Sequence, residues 1–545
     1  MIRLQGIGVS SGRASGPLFV VTEAGDTARS GPFESIEQLA ETAAKRLDAL
    51  AAQRRAGAGA GADVLEVQAM MLRDPGLMAS IREQQDADDS PETAIPRGIE
   101  KYAQLMEQLS DDYLRERAAD VREVGRLLVA ILKGTAFSRL QGLSHPAVVV
   151  ARELAPVDTL SVEPQFLLGL VTEVGGRTSH AAIVARELGI PAVVGVAGVL
   201  EMAANAKAAT IDGGSGEIIL LASSSGAAQQ AAVLSSTPPD IDFVELMANA
   251  GSLAAVNSAA LTGARGVGLF RTEFLFLGRD DPVSEDEQLA VYEAACAAFP
   301  EHRVVVRTLD IGSDKQPSYL PRPHHEPNPA LGQRGIRLWL SHEELWRPQV
   351  RALVATGRKW KNLNVMLPMV AAREEMVHAR QLFEQEAQRQ ATGAPRLGMM
   401  VELPAVAVSL DAFAGLIDFV SLGTNDLTQY ALGADRELEW QLHLGEFNPG
   451  VLRLLAEAVR SAHRMKVSAG VCGEMAGSAE GAAFLVGVGA TSLSMSAGSL
   501  SKVAQALAKL GLQGCKEVAK DALKAQDADS ARAALSAAVL AAPER

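Results

Sequence analysis

The run Gly175-Gly176-Arg177-Thr178-Ser179-His180 holds, in one short stretch, the parts that a phosphoryl-transfer site needs. Two glycines let the backbone come close to a ligand. Thr178 and Ser179 can cap a following helix, and a helix N-terminus attracts phosphate. A His at that point can carry a phosphoryl group on a ring nitrogen, because neutral imidazole is nucleophilic near pH 7. The plain alternative is a helix-capping loop with a surface His, and these residues alone leave both open.

A second set is spread over the C-terminal half. Glu402 and Asp426 each follow an apolar run of strand character, so two carboxylates can converge. They are hard oxygen donors suited to Mg²⁺, with water and a substrate phosphate completing the octahedron. Arg271, Arg307 and Arg436 are guanidinium candidates for the phosphate and carboxylate of a small trianion. Asn425 adds a neutral amide donor, and Lys315 and Arg334 lie in loops that could reach the same place. Any one of these can be a plain ion pair; their joint placement after successive strands favours a site. Cys472, in Gly470-Val471-Cys472-Gly473-Glu474-Met475, is either a small buried hydrophobe or an acid. A thiol with a reference pKa of about 8.5 is mostly protonated at pH 7 and can give a proton to an enolate carbon. His324-His325, between Pro323 and Glu326, reads as a surface loop, because adjacent side chains rarely converge on one metal and no third ligand is evident. Gly6 to Gly12 has spaced glycines without a following Lys-Ser/Thr, so it is not a P-loop, and nothing resembles an ATP-binding domain.

Leu4–Val21 is Gly-rich and β-like, and residues 33 to about 133 turn helical. Asp74-Pro75 and Ser90-Pro91-Glu92 read as an N-cap followed by Pro at N1. Asp63 and Glu66 have capping-box spacing, and Val121, Val124, Leu128 and Ile131 share one helical face. The Ala/Gly run 56–62 reads as a loop. Strands are expected at 146–151, 167–172, 192–196 and 210–211, with a helix from about Ser179 to Leu188. Segments 4–21 and 145–221 then make one α/β unit with the helical block inserted. The Ala/Ser/Gln-rich stretch 222–239, ending Thr-Pro-Pro, is the best domain boundary.

Beyond Asp240, eight strand candidates alternate with helices: 243–247, 266–269, 304–309, 364–367, 397–401, 419–422, 467–471 and 492–495. That pattern predicts a (β/α)8 barrel, whose chemistry sits at the C-terminal ends of its strands. The polar residues just past those strands are Asn249, Arg271, Arg307 with Asp310, Glu402, Asn425 with Asp426, and Cys472 with Glu474. The remainder, Gln513 to Arg545, is Ala-rich with mixed charges and reads as a helical or frayed tail without assigned function.

Composition bounds the rest. A chain of 545 residues with net charge −14 has ample material for a large core. Its acidity argues against general nucleic-acid binding, which needs a basic face, so any anion site must be a local cluster of Arg and Lys. Three scattered cysteines, Cys296, Cys472 and Cys515, argue against a disulfide framework and fit a reducing compartment. Residues 1–10 lack the apolar run of a signal peptide. The uncharged stretch 481–501 is broken throughout by Gly, Ser and Thr and reads as buried strand and turns rather than a membrane span.

Jointly, GGRTSHAAIVARELGIPAVVG from Gly175, GLFRTEFLF from Gly268, RTLDIGSDK from Arg307, NPALGQRGIR from Asn328, GTNDLTQYALGADR from Gly423 and GVCGEMAG from Gly470 are highly specific. They resemble Enzyme I of the bacterial phosphoenolpyruvate-dependent sugar phosphotransferase system, from Gly6 to about Leu510. GGRTSH is also similar to the swivelling domains of pyruvate phosphate dikinase and phosphoenolpyruvate synthase. The resemblance implies an α/β multidomain fold: a swivelling phosphohistidine domain (1–30 and 140–222), an inserted helical domain (31–139) that docks the histidine phosphocarrier protein HPr, a linker (223–239), a phosphoenolpyruvate-binding TIM-type barrel (240–512) and the tail (513–545). It implies that His180 is phosphorylated through Nε2, with Thr159 near it, and that Arg271, Arg307, Asn425, Asp426 and Arg436 form the phosphoenolpyruvate site. It further implies Mg²⁺ on Glu402 and Asp426, Cys472 as the proton donor that makes pyruvate, and a cytoplasmic homodimer joined through its barrel. The alternatives are a regulatory or nitrogen-related paralogue and a dikinase or synthase relative lacking the ATP domain. Three details depart from the usual pattern: Ser313 where a second Gly is more frequent, Leu277-Gly278-Arg279 in place of Met-Asp-Arg, and Gln68 where many members have His.

Overall fold

The computed structural model describes the chain apart from residues 1, 11–12, 22–34, 57–61, 86–89, 109–117, 177–178, 180, 183, 186–189, 215, 223–238, 240, 278, 280, 313–316, 318, 321–325, 327, 436–444 and 542–545. The chain divides into two compact units, Met1–Val233 and Leu234–Arg545.

The first unit is built on eight strands: β1 (Ile2–Gln5), β2 (Ile7–Ser10), β3 (Arg13–Val20), β4 (Ala147–Ala151), β5 (Leu167–Thr172), β6 (Ala192–Val194), β7 (Ala208–Asp212) and β8 (Glu217–Leu221). They form one mixed sheet in the order β1-β8-β7-β3-β4-β5-β6-β2. Its middle, β3 to β6, is parallel. Successive strand residues face opposite sides, so Val149 and Ala151 join one apolar layer while Val148 and Val150 join the other. A strand buried on both faces reads as the unbroken apolar run seen at 147–151.

Between β3 and β4 the described residues make five helices: α1 (Ile36–Ala56), α2 (Ala62–Leu72), α3 (Pro75–Gln85), α4 (Pro91–Glu107) and α5 (Ala118–Leu132). Since β3 and β4 pair directly, the helical block is an insertion that leaves the sheet continuous. Val121, Val124, Leu128 and Ile131 are buried in its core as their spacing predicts. Asp74 caps α3, its Oδ1 accepting the Leu77 amide at 2.8 Å. Ser90 precedes Pro at N1 of α4 but makes no side-chain cap bond. The helix α2 begins at Ala62, and the side chain of Asp63, the expected cap, lies outside the described residues. The short helix Pro156–Leu160 buries Val157 and Leu160 in the helical core. Asp158, wholly buried, accepts from Arg139 Nη2 at 2.6 Å and from the Arg139 and Ala155 amides at 2.7 and 3.0 Å, so its burial is compensated.

The second unit is a closed barrel of eight parallel strands: β9 (Glu245–Ala250), β10 (Val267–Arg271), β11 (Val304–Arg307), β12 (Leu363–Leu367), β13 (Arg396–Val401), β14 (Phe419–Leu422), β15 (Ser468–Val471) and β16 (Ser492–Met495). Leu269, Val305, Met366, Met400 and Phe419 fill its interior. The alternate residues, such as Val304, Val306, Met399 and Val401, face the surrounding helices. The uncharged stretch after Glu480 holds most of a buried helix, Ala479–Gly487, as well as β16, so part of what reads as strand is helix. Helices Leu500–Ala522, broken at Gly511, and Ala528–Ala541 follow. Cys515, Val518, Ala519, Ala522, Ala531 and Leu535 lie in the barrel's outer apolar layer, so the described residues beyond Gln513 are part of its packing. Among the described residues no helix is long and apolar enough to cross a membrane, and the three cysteines are free and buried.

Candidate active site

Strand periodicity aims the barrel's chemical groups. Leu269, Val305 and Met400 point inward, and so, two residues further on, do Arg271, Arg307 and Glu402 at the C-terminal ends of β10, β11 and β13. Cys472, one residue past β15, belongs to the interior layer itself.

Arg307 donates from Nη2 to Glu273 Oε1 at 3.0 Å, and its Nη1 lies 3.0 Å from Asp310 Oδ2. Glu273 Oε1 also accepts the Asp310 amide at 2.9 Å. One carboxylate therefore holds both the arginine and the turn that follows it. Desolvation would lower the Arg307 pKa, but Glu273, Asp310 and Glu402 together outweigh it and raise it. Arg334 grips Asp310 with Nε and Nη2, at 3.0 and 3.1 Å, and reaches Asp426 Oδ1 at 3.8 Å. Arg271 ends β10 with an exposed side chain. Desolvation, and next the neighbouring Arg307 cation, hold it below its ordinary pKa.

Glu402 is wholly buried. Its Oε1 accepts the Met369 amide at 2.5 Å, while Oε2 has no hydrogen-bond partner. Met369 presents that amide from a left-handed backbone, φ 58°, which a side-chain-bearing residue adopts at a cost of about 1 kcal/mol or more. Burial, then Asp426 and Asp310, push the Glu402 carboxyl up to about 8. An orphaned buried carboxylate oxygen beside a second carboxylate is what a cation would satisfy, so the pair fits the expected Mg²⁺. Among the described residues no group of three or more His, Cys, Asp or Glu side chains gathers as metal ligands.

Asn425 Oδ1 accepts the Glu474 amide at 2.9 Å, leaving its –NH₂ end as the donor. That contact joins the loops after β14 and β15 and requires Gly473, where a Cβ would fall 1.8 Å from Thr424 Oγ1. Cys472 Sγ lies 3.8 Å from the Leu422 carbonyl, and burial pushes its thiol up to about 11. A thiol so raised stays protonated at neutral pH. Asn249, expected at the mouth, is turned instead to the backbone: Nδ2 donates to the Cys472 carbonyl at 3.0 Å, and Oδ1 accepts from Ser494 Oγ at 2.6 Å.

Of the expected site residues, Arg271, Arg307, Glu402, Asn425, Asp426 and Cys472 gather at one end of the barrel, with Arg334 among them. His180, Arg436, Lys315, Arg177, Thr178 and the His324-His325 pair lie outside the described residues. Near His180, Gly175 has φ 113° and Ser179 Oγ accepts the Ala182 amide at 3.4 Å, the bond expected of a helix-capping Ser. Thr159 is buried, its hydroxyl donating to the Pro156 carbonyl at 3.2 Å. Sequence reasoning missed Glu273 and Met369. Glu273 was findable, as an acid two residues past the arginine of a strand end; the left-handed backbone at Met369 leaves no compositional trace.

Residues 226–512 match the family described as PEP-utilising enzyme, PEP-binding domain; residues 143–216 match its mobile domain, and residues 5–117 its N-terminal domain. A protein of Streptomyces coelicolor is 39% identical over 98% of each chain. One of Listeria innocua is 37% identical over 86% of each, and one of Bacillus subtilis 35% identical over 83% of each. All three carry the name phosphoenolpyruvate-protein phosphotransferase.

Proposed function

The chain belongs to the PEP-utilising enzymes, among the phosphoenolpyruvate-protein phosphotransferases, and we propose that it carries the phosphoryl group from phosphoenolpyruvate on His180 to the carrier HPr. What supports the barrel mouth as the substrate site is the convergence of Arg271, Arg307 and Arg334 with Glu402 and Asp426 around one buried thiol.

Phosphoenolpyruvate presents a phosphate and a carboxylate on a three-carbon enol. Arg271, Arg307 and Arg436 bind these anionic groups, and the Asn425 amide donates a hydrogen bond. Glu402 and Asp426 would hold Mg²⁺, which supplies charge stabilisation to the transferring phosphoryl group when bound. His180 Nε2 attacks phosphorus as the bond to the enol oxygen breaks. Cys472 gives its proton to C3 of the resulting enolate, forming pyruvate, and its thiolate is reprotonated from solvent. The phosphoryl group then passes from His180 to HPr, with the helical block 31–139 as the docking domain and the linker 223–239 as the hinge. A homodimer joined through the barrel, working in the cytoplasm in sugar uptake, completes the proposal.

Intact mass after incubation with phosphoenolpyruvate and Mg²⁺ tests it. The wild-type chain gains one phosphoryl mass and His180→Ala gains none. Label retained by His180→Ala, or no gain by folded wild type, refutes it.

A further inference from the structure

The loop after β11 includes a short turn, Pro329–Leu331, none of whose residues is buried. Leu331 is 63% exposed. Packing therefore does not hold the turn, and hydrogen bonds must. Some join the segment to itself: Arg337 Nη1 donates to the Leu331 and Gly332 carbonyls at 3.2 and 3.4 Å, and the Gln333 amide donates to Glu326 Oε1 at 2.9 Å. Another reaches a different βα unit. The Tyr430 hydroxyl donates to the Ala330 carbonyl at 2.6 Å, across 100 residues of chain. Tyr430 is half-buried on the helix Thr424–Leu432, which follows β14.

The same helix carries Asn425 and Asp426, and Asp426 lies one turn before Tyr430, on the same face. Asp426 meets the same loop: its Oδ1 lies 3.8 Å from Arg334 Nη1. Arg334 holds Asp310 with Nε and Nη2, at 3.0 and 3.1 Å. Its guanidinium thus bridges the loop after β11 and the helix after β14. On its C-terminal side the backbone is fixed. Gly335 has φ 55°, its amide donates to the Ile311 carbonyl at 3.2 Å, and a Cβ there would fall 3.0 Å from Met369 Cβ. On its N-terminal side stands the turn that Tyr430 holds.

We infer that Tyr430 is a positioning residue for phosphoenolpyruvate binding: its hydroxyl latches the Pro329–Leu331 turn to the helix that bears Asn425 and Asp426, so that Arg334 is held at the mouth against Asp310 and Asp426. It acts through Arg334 and not on the substrate. One helix face makes two ties to one loop, a charged one through Asp426 and a neutral one through Tyr430. With the hydroxyl gone, the exposed turn regains conformational freedom, and Arg334 must be ordered when the anion arrives. A guanidinium already in place spares that cost. This rests on the barrel mouth being the substrate site.

The test compares the wild-type chain with Tyr430→Phe, Arg334→Lys and the double variant, reading kcat and KM for phosphoenolpyruvate in carrier phosphorylation and the thermal midpoint of each. Tyr430→Phe keeps the ring and removes only the donor. It raises KM about three- to tenfold, the ratio that one neutral hydrogen bond is worth, with kcat within about twofold. Arg334→Lys keeps the charge but not the planar fork, so on that background Tyr430→Phe changes kcat/KM by less than about twofold. An unchanged KM in folded Tyr430→Phe overturns the inference. So does a fall in kcat alone, or an equal loss on both backgrounds, which would mark a role independent of Arg334. If Arg334→Lys proves too unstable to assay, hydrogen exchange decides: the amides of segment 330–335 exchange faster in Tyr430→Phe than in wild type, and equal exchange overturns the latch. Failure of the wild-type chain to accept a phosphoryl group would refute the substrate-site reading itself, a result distinguishable from these because hydrogen exchange still reads the latch.

Discussion

Replacing Cys472 by Ala removes one sulfur from the barrel interior and, with it, the proposed proton donor. The thiol sits at about 11 through burial, so at pH 7 only about one molecule in ten thousand is a thiolate. The wild-type donor is therefore loaded across the neutral range, and pyruvate formation should show no thiol-dependent limb between pH 6 and 9. Removing a positioned general acid typically costs about 10²- to 10⁴-fold in the step it serves. The packing cost is smaller, roughly 1 kcal/mol for a single buried atom, because Leu269, Met400 and Phe419 still line the space. Rapid quench with labelled phosphoenolpyruvate, scoring phosphoprotein and pyruvate separately, resolves the steps. Phosphoenolpyruvate affinity should hold, phosphoprotein should form first, and pyruvate should lag as enolpyruvate ketonises in solution. In deuterium oxide the new C3 bond should lose its facial preference. Synchronous pyruvate with an unchanged face of deuteration would remove the thiol from the mechanism.

Asn249→Leu unpairs the Cys472 carbonyl and the Ser494 hydroxyl; a loss of about 1–3 kcal/mol in urea unfolding is expected, with slower pyruvate formation at unchanged substrate affinity. Glu446 is raised from its ordinary value to about 7 by burial and next by Glu474, so the stability its proton contributes is fully present below about 4.5 and lost as pH rises through 7. Glu446→Gln should therefore match wild type in thermal midpoint near pH 4.5 and exceed it at pH 8, with a ceiling of about 3 kcal/mol; equal midpoints at both pH values would contradict the assigned environment. Leu535→Ala, in a helix that reads as tail, should cost about 2–5 kcal/mol by thermal unfolding, as for a wholly buried leucine. A loss under 0.5 kcal/mol would mean the helix does not share the barrel core.

Much of the architecture was legible because it is written in short-range patterns. Alternating strands and helices after residue 240 announced the barrel, and each of the eight strands overlaps the segment its apolar run marks. The same period of two carried Arg271, Arg307 and Glu402 inward, so their convergence followed once the ring closed. The helical insertion was visible in the spacing of Val121, Val124, Leu128 and Ile131. Local composition misled where burial hides periodicity: the helix at 479–487, uncharged after Glu480, reads like strand, because no polar face marks the helical repeat.

By itself, then, the sequence determined which residue types stand at the end of each strand and which motifs border them. Only the tertiary structure decided what each group meets. Asn249 holds Cys472 across 223 residues of chain, Glu273 hooks Arg307 and Asp310 together, Met369 offers its amide to Glu402, and Tyr430 reaches the Ala330 carbonyl. Such partners are neighbours through barrel closure and helix packing, and the distances that decide them are set by the whole ring of strands, which no local window of sequence contains.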